Sequence, residues 1–190
     1  MKHHENVKII AFVGLSGSGK TVAVDYLTEK GYPKVYFGGI LYEAMKEEGL
    51  TPGDWPRENK FRKEIREREG KDFVVNRAVK QFRSLIEAGQ HRLIADGLYS
   101  WTEYKIMKKE FPGELTVVAV AAPRHVRHKR LANRPERPLN AQEADDRDWR
   151  EIEDIEKGGP IAVADYYLMN DKDPAYLYKQ IDTLLEQVDF

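Results

Sequence analysis

Residues 14–21 constrain this chain more than any other stretch: Gly14-Leu15-Ser16-Gly17-Ser18-Gly19-Lys20-Thr21 satisfies the pattern G-x-x-x-x-G-K-[ST] in full. The pattern follows a short, β-branched, nearly continuous apolar run at 7–13, the signature of a strand buried on both faces of a parallel sheet. A helical pattern with Val22, Val24 and Leu27 follows it. In that setting each part has a physical use. Glycines allow the close backbone approach that a Cβ would block, so successive N–H groups can point at phosphate oxygens. The helix N-terminus adds partial positive charge. Lys20 is expected to reach the β- and γ-phosphates of a nucleoside triphosphate, and the Thr21 hydroxyl to ligate Mg²⁺.

The rest of the chain alternates strand and helix patterns. Strands are expected at 34–37, 91–95, 115–121 and 165–169. A turn is expected at Gly38-Gly39, and helical pattern from 40 to 88 with a break near 51–56. Further helices are expected at about 101–109, 123–133, 141–156 and 174–188, with Gly158-Gly159-Pro160 closing the acidic helix at 141–156. Alternation of this kind predicts one α/β domain over 1–190, with a parallel sheet flanked by helices.

Composition sets limits on partners. A net charge of −1 gives no reason to expect nucleic acid or an anionic membrane. The chain has no cysteine, which excludes disulfides, thiol nucleophiles and thiolate metal sites, and fits a cytoplasmic setting. The apolar run at 9–13 is too short to span a bilayer. His3 and His4 read as a solvated end. A monomer or homodimer is expected.

Two clusters outside the loop carry chemistry. Asp96 stands at the carboxyl end of the third strand, where open α/β sheets place ligands. Arg127, Arg130 and Arg134 recur at three- and four-residue spacing, which puts them on one helix face. Guanidinium suits polyphosphate because its planar fork pairs two oxygens and keeps its charge.

With its loop near the N-terminus and five strand patterns, the chain resembles the nucleoside-monophosphate-kinase superfamily of P-loop proteins. Residues 66–72, Asp96-Gly97, residues 130–134 and residues 164–170 look like an adenylate-kinase-related family of archaea and bacteria often labelled dephospho-coenzyme A kinase-like. The resemblance implies a five-stranded parallel sheet, an acceptor subdomain at about 38–90 and a short lid at about 134–142. It implies ATP and Mg²⁺ as ligands and a small-molecule phosphoryl acceptor. The donor would be held by Gly14, Ser16, Gly17, Ser18, Gly19, Lys20, Thr21 and Val22, with Arg130, Arg134 and Asn170. Thr21 and Asp96 would attend the metal, and Lys20, Asp96, Arg130 and Arg134 the transfer itself.

The chain departs from that superfamily where arginines commonly hold the acceptor's phosphate. These regions read Gly38-Gly39-Ile40-Leu41-Tyr42-Glu43 and Asp96-Gly97-Leu98-Tyr99-Ser100-Trp101. Tyr99 and Trp101 suit ring stacking, and Arg62 or Arg66 are the available substitutes. Three functions therefore stand: transfer of the ATP γ-phosphoryl group to a nucleotide or nucleotide-like acceptor, dephospho-coenzyme A kinase, and a P-loop ATP-binding or ATPase protein that transfers to no acceptor. Guanine specificity has little support, since Asn170-Asp171-Lys172-Asp173 has the residue types of N-K-x-D in the wrong order.

Overall fold

The computed structural model describes residues 6–53 and 55–190; His3, His4 and Asp54 lie outside them. Its strands are β1 (Lys8–Val13), β2 (Lys34–Tyr36), β3 (Arg92–Asp96), β4 (Leu115–Ala121) and β5 (Tyr166–Met169). All pair in parallel, in the order β2-β3-β1-β4-β5. The helices are α1 (Lys20–Glu29), α2 (Phe37–Glu47), α3 (Trp55–Glu69), α4 (Phe73–Glu87), α5 (Trp101–Glu110), α6 (Arg124–Ala132), α7 (Ala141–Glu153), α8 (Gly158–Ala162) and α9 (Pro174–Gln187).

The near-continuous apolar strands have a direct cause: successive side chains enter two different cores. From β1, Ile9, Ala11 and Val13 face a core shared with α2 to α5, while Ile10 and Phe12 face one shared with α1 and α9. In β4, Val117 and Ala119 join the first, and Val118 and Val120 the second. The sheet is the middle of three layers.

The strand order puts β1 between β3 and β4, so the chain reverses direction across the sheet beside the carboxyl end of β1. That crevice receives the phosphate-loop candidate and Asp96, the last residue of β3.

Three local expectations are corrected. Gly38-Gly39 is not a turn but the first turn of α2. The pair is required there because the Tyr36 ring folds back along it; a Cβ at Gly38 would come within 2.6 Å of Tyr36 Oη. The acidic helix stops at Glu153, and Gly158-Gly159-Pro160 begins α8 instead of closing α7. Gly159 accommodates the Trp101 indole, which a Cβ would meet at 2.7 Å. Finally, Gly70, at φ +92°, separates α3 from α4.

At the sheet edge, the Gln180 side chain from α9 accepts from the Met169 N–H at 3.0 Å and donates to its carbonyl at 2.8 Å. On the other face, Phe82 is fully buried and meets Phe111 edge-to-face at 5.7 Å. Phe82→Ala is expected to cost about 3–5 kcal/mol, measured by urea denaturation; a loss below ~1 kcal/mol would show that this core refills the space.

Candidate phosphate and acceptor site

The glycines of residues 14–21 are shaped for close approach. Gly14, Gly17 and Gly19 have φ of +148°, +80° and +101°. A Cβ on them would strike the Val120 carbonyl, the Arg127 carbonyl and the Asn170 amide respectively. Below the loop, α1 begins with Gly19 as its cap residue, and no described side chain caps it. By contrast α5 and α7 carry full capping boxes, and Asp173 caps α9. The uncapped first-turn amides of α1 are donors available to an anion. Together with the glycine cradle, they fit a polyphosphate.

Lys20 Nζ donates to the Gly14 carbonyl at 2.5 Å and the Leu15 carbonyl at 3.2 Å. Burial, and then the charge of Lys157, push this ammonium down to about 7 against the pull of Glu151 and Asp96. Thr21 and Val22 lie exposed at the start of α1. Asn170, just past β5, donates to the Ser18 carbonyl at 2.8 Å. Arg130 spans from the Gly17 carbonyl to Asn170 Oδ1, both at 3.4 Å.

The arginine face divides. Arg127 is buried and makes a bidentate pair with Asp148, both contacts 2.7 Å, while donating to the Ser16 carbonyl at 3.0 Å. Burial would raise the Asp148 carboxyl, but Arg127 and His128 hold it below the usual range. Arg127 is thus a packing residue. Arg130 stays at the loop. Arg134 lies past α6 in the connection 133–140, near enough for Arg147 and Glu151 to act on its charge.

Sequence reasoning passed over the strongest contact made with the loop. Glu151, on α7, accepts from the Ser16 N–H at 2.9 Å and from Ser16 Oγ at 2.5 Å. Lys157 Nζ lies 2.8 Å and Arg147 Nε 3.3 Å from the same carboxylate. Burial opposes the charge, yet Lys157 and the Ser16 donors hold Glu151 down at about 2. The only sequence signal was the i, i+4 spacing of Arg147 and Glu151; nothing local linked either to Ser16.

Asp96 faces the opposite side. Burial raises its carboxyl, and Lys34, 3.5 Å away, counteracts part of that. Tyr36 is its register partner on β2. Tyr99 lies over Gly97, with Lys157 Nζ 4.6 Å from the ring centre. Trp101 instead stacks on Tyr104, with centroids 5.1 Å apart. Arg66, one of the two candidate substitutes, acts on Glu103, whose carboxylate accepts from the Tyr99 and Ser100 amides. Among the described residues no group of three or more acidic, histidine or cysteine side chains forms a metal cluster.

The glycine loop, its uncapped helix and the 2-3-1-4-5 parallel sheet define a P-loop domain, and the chain belongs to the AAA domain family, whose sequence pattern matches residues 10–156. Within that class it groups with the UPF0200 proteins. It is 31% identical to the UPF0200 protein of Thermococcus onnurineus over 193 aligned positions, covering 95% of this chain and 97% of that one. Against the UPF0200/UPF0201 protein of Archaeoglobus fulgidus it is 34% identical over 131 residues, covering 67% of this chain but only 39% of that protein. Solved structures share the fold: TT1252 from Thermus thermophilus has a TM-score of 0.65 at 19% identity, covering 96% of this chain and 98% of that one. Shikimate kinase from Bacteroides thetaiotaomicron has 0.60 at 14%, covering 96% and 99%. The five-stranded P-loop kinase fold anticipated from the sequence is thus the one observed.

Glu151→Gln should leave Lys157 buried without its anion, a cost of about 3–5 kcal/mol at pH 7. The sign with pH follows from the depressed carboxyl. Its stabilisation is complete above the unfolded value of ~4.3 and is lost as pH falls through about 2. Thermal melts of wild type and variant should therefore converge between pH 4.5 and 2.5, taken as rough bounds. A gap that stays constant over that range would refute an ionic origin.

Proposed function

We propose that the protein is an ATP-dependent phosphotransferase that moves the γ-phosphoryl group to a small-molecule acceptor. The observation that carries this is the meeting of two unlike environments at Lys20 and Asp96. On one side the glycine cradle, Lys20, Arg130 and Arg134 suit a triphosphate; on the other, a carboxylate opens onto tyrosines and the helices of residues 38–90. A site that only held a nucleotide has no need of the second side. The name of the shikimate kinase sharing this fold is in keeping with such a reading, and the fold alone would equally serve dephospho-coenzyme A kinase or an ATPase.

In this reading the loop amides and Lys20 fix the donor in line, while Arg130 and Arg134 neutralise charge on the group in transit. Asp96 orients the attacking oxygen. Mg²⁺, when held near Thr21 and Asp96, supplies further neutralisation of the phosphate oxygens. Residues 134–142 act as the lid, with Pro135 and Pro138 as a stiff break, so closure is a hinge motion. The reaction takes place in the cytoplasm.

A screen with γ-labelled ATP separates the possibilities: label passing to a nucleotide or related metabolite, to dephospho-coenzyme A, or only to water. Label appearing only as inorganic phosphate with every acceptor would refute the kinase reading. Lys20→Ala should lower transfer by more than about tenfold, equivalent to ~1.4 kcal/mol of transition-state stabilisation, without changing the melting temperature. Arg134→Ala should reduce kcat more than it weakens ATP binding, because its contact belongs to the closed complex. A variant losing only ground-state affinity would remove Arg134 from the lid. Thr21→Ala and Asp96→Asn should both raise the Mg²⁺ concentration giving half-maximal rate. If Asp96→Asn lowers the rate at unchanged Mg²⁺ dependence, Asp96 serves the acceptor alone.

A further inference from the structure

The two tyrosines flanking Asp96 are held in place by glycines. Tyr36 ends β2 directly beside Asp96 in the register, and its ring runs along Gly38 and Gly39, where a Cβ would come within 2.6 Å and 2.8 Å of ring atoms. The ring's other face is open, leaving Tyr36 42% exposed although it adjoins the core. Tyr99 is seated on Gly97 in the same manner, where a Cβ would lie 2.9 Å from its Cζ. Tyr36 is the register partner of Asp96 and Tyr99 lies over Gly97, the next residue, so the three share one end of the sheet. After burial, Asp96 makes both tyrosines harder to ionise and Tyr36 does so for Tyr99, while Tyr42 and Glu58 also bear on Tyr36. Glu58 is buried and fixed by the Gly53 N–H at 2.7 Å.

Charge divides the site in two. The donor side gathers Lys20, Lys157, Arg147 and Arg134 about Glu151, with Asp96 also acting on Lys20. On the acceptor side Asp96 and Glu58 stand beside cations that are already engaged, Lys34 with Asp96 and Lys157, over the Tyr99 ring, with Glu151. A phosphomonoester placed there would meet two carboxylates with little compensation. Aromatic faces paired with carboxylate acceptors instead suit a ring that carries hydroxyl groups, whose apolar face stacks and whose O–H groups donate.

We infer that the surface formed by Tyr36, Tyr99 and Asp96 binds an unphosphorylated, ring-bearing alcohol as phosphoryl acceptor, with Tyr36 as its stacking platform. This rests on the phosphotransferase reading above. The acceptor oxygen forms a bond to the γ-phosphorus as the bond from that phosphorus to the ADP oxygen breaks, and the hydroxyl proton is released to solvent. Nucleosides and cyclic polyols share this chemistry.

The test is calorimetric titration of the full chain, saturated with Mg²⁺ and the non-hydrolysable analogue AMPPNP. Uridine and myo-inositol are the probes, set against UMP and myo-inositol 1-phosphate. One alcohol is expected to bind at least about tenfold more tightly than its own phosphate; uridine would identify a nucleoside site, inositol a polyol site. Tyr36→Leu should weaken that binding by a similar factor of about ten and leave AMPPNP affinity unchanged. Gly38→Ala is the companion variant, since its Cβ displaces the Tyr36 ring and so should weaken the alcohol while leaving AMPPNP affinity unchanged. Tighter binding of the phosphates, lost on Arg66→Ala, would overturn the assignment in favour of an arginine-anchored monophosphate. So would failure of all four probes to bind while AMPPNP binds normally. Failure of AMPPNP itself would show separately, and would overturn the kinase reading and this assignment with it.

Discussion

Ser16 is tied down at both of its backbone polar groups by the same helical hairpin. Its N–H goes to Glu151 on α7, and its carbonyl receives Arg127 from α6. Asp148 closes the arrangement by pairing with Arg127 in two parallel bonds. Each group is buried and charged, so none can be left unpartnered without a cost of several kcal/mol. The shape of the glycine loop is therefore not set by its own residues alone. It is braced from outside by the two helices whose connection carries Arg134, and any tilt of α7 is felt at the loop. The glycine loop and the α6–α7 pair are one mechanical unit.

This bracing explains how the chain tolerates so much like charge. Lys20, Lys157, Arg147 and Arg134 converge about Glu151. Burial first, and then the charge of Lys157, depress the Lys20 ammonium. A fold that concentrates cations in this way spends stability on a preformed field. Such a field is useful only when a polyanion completes it.

The elements most visible in the sequence were those whose cause is local. Residues 115–121 read as a strand and form one with the same bounds, because a β-branched run between Gly113 and Pro123 has few other options. The loop was legible because its glycines, lysine and threonine stand at fixed spacing. Gly38-Gly39 read as a turn because glycine pairs usually break helices, and only the returning Tyr36 ring accounts for them. Spacing placed Arg127, Arg130 and Arg134 together, but periodicity cannot tell which part of a face is covered or where the helix stops; α7 covers Arg127, Arg130 stays at the loop, and Arg134 lies past the end of α6. Glu151 and Ser16 are 135 residues apart, and no pattern in either neighbourhood announces the other.

The glutamine clasp on β5 has a consequence beyond this domain's own stability. β5 is an outer strand, and the N–H and carbonyl of Met169 point away from the sheet, where another polypeptide would ordinarily find a template. The Gln180 side chain imitates that polypeptide with a single amide group. A neighbouring copy seeking to extend the sheet at this residue would have to break two good hydrogen bonds to make two equivalent ones, and would gain nothing by the exchange. At that residue the sheet edge therefore offers a neighbouring strand no free donor or acceptor.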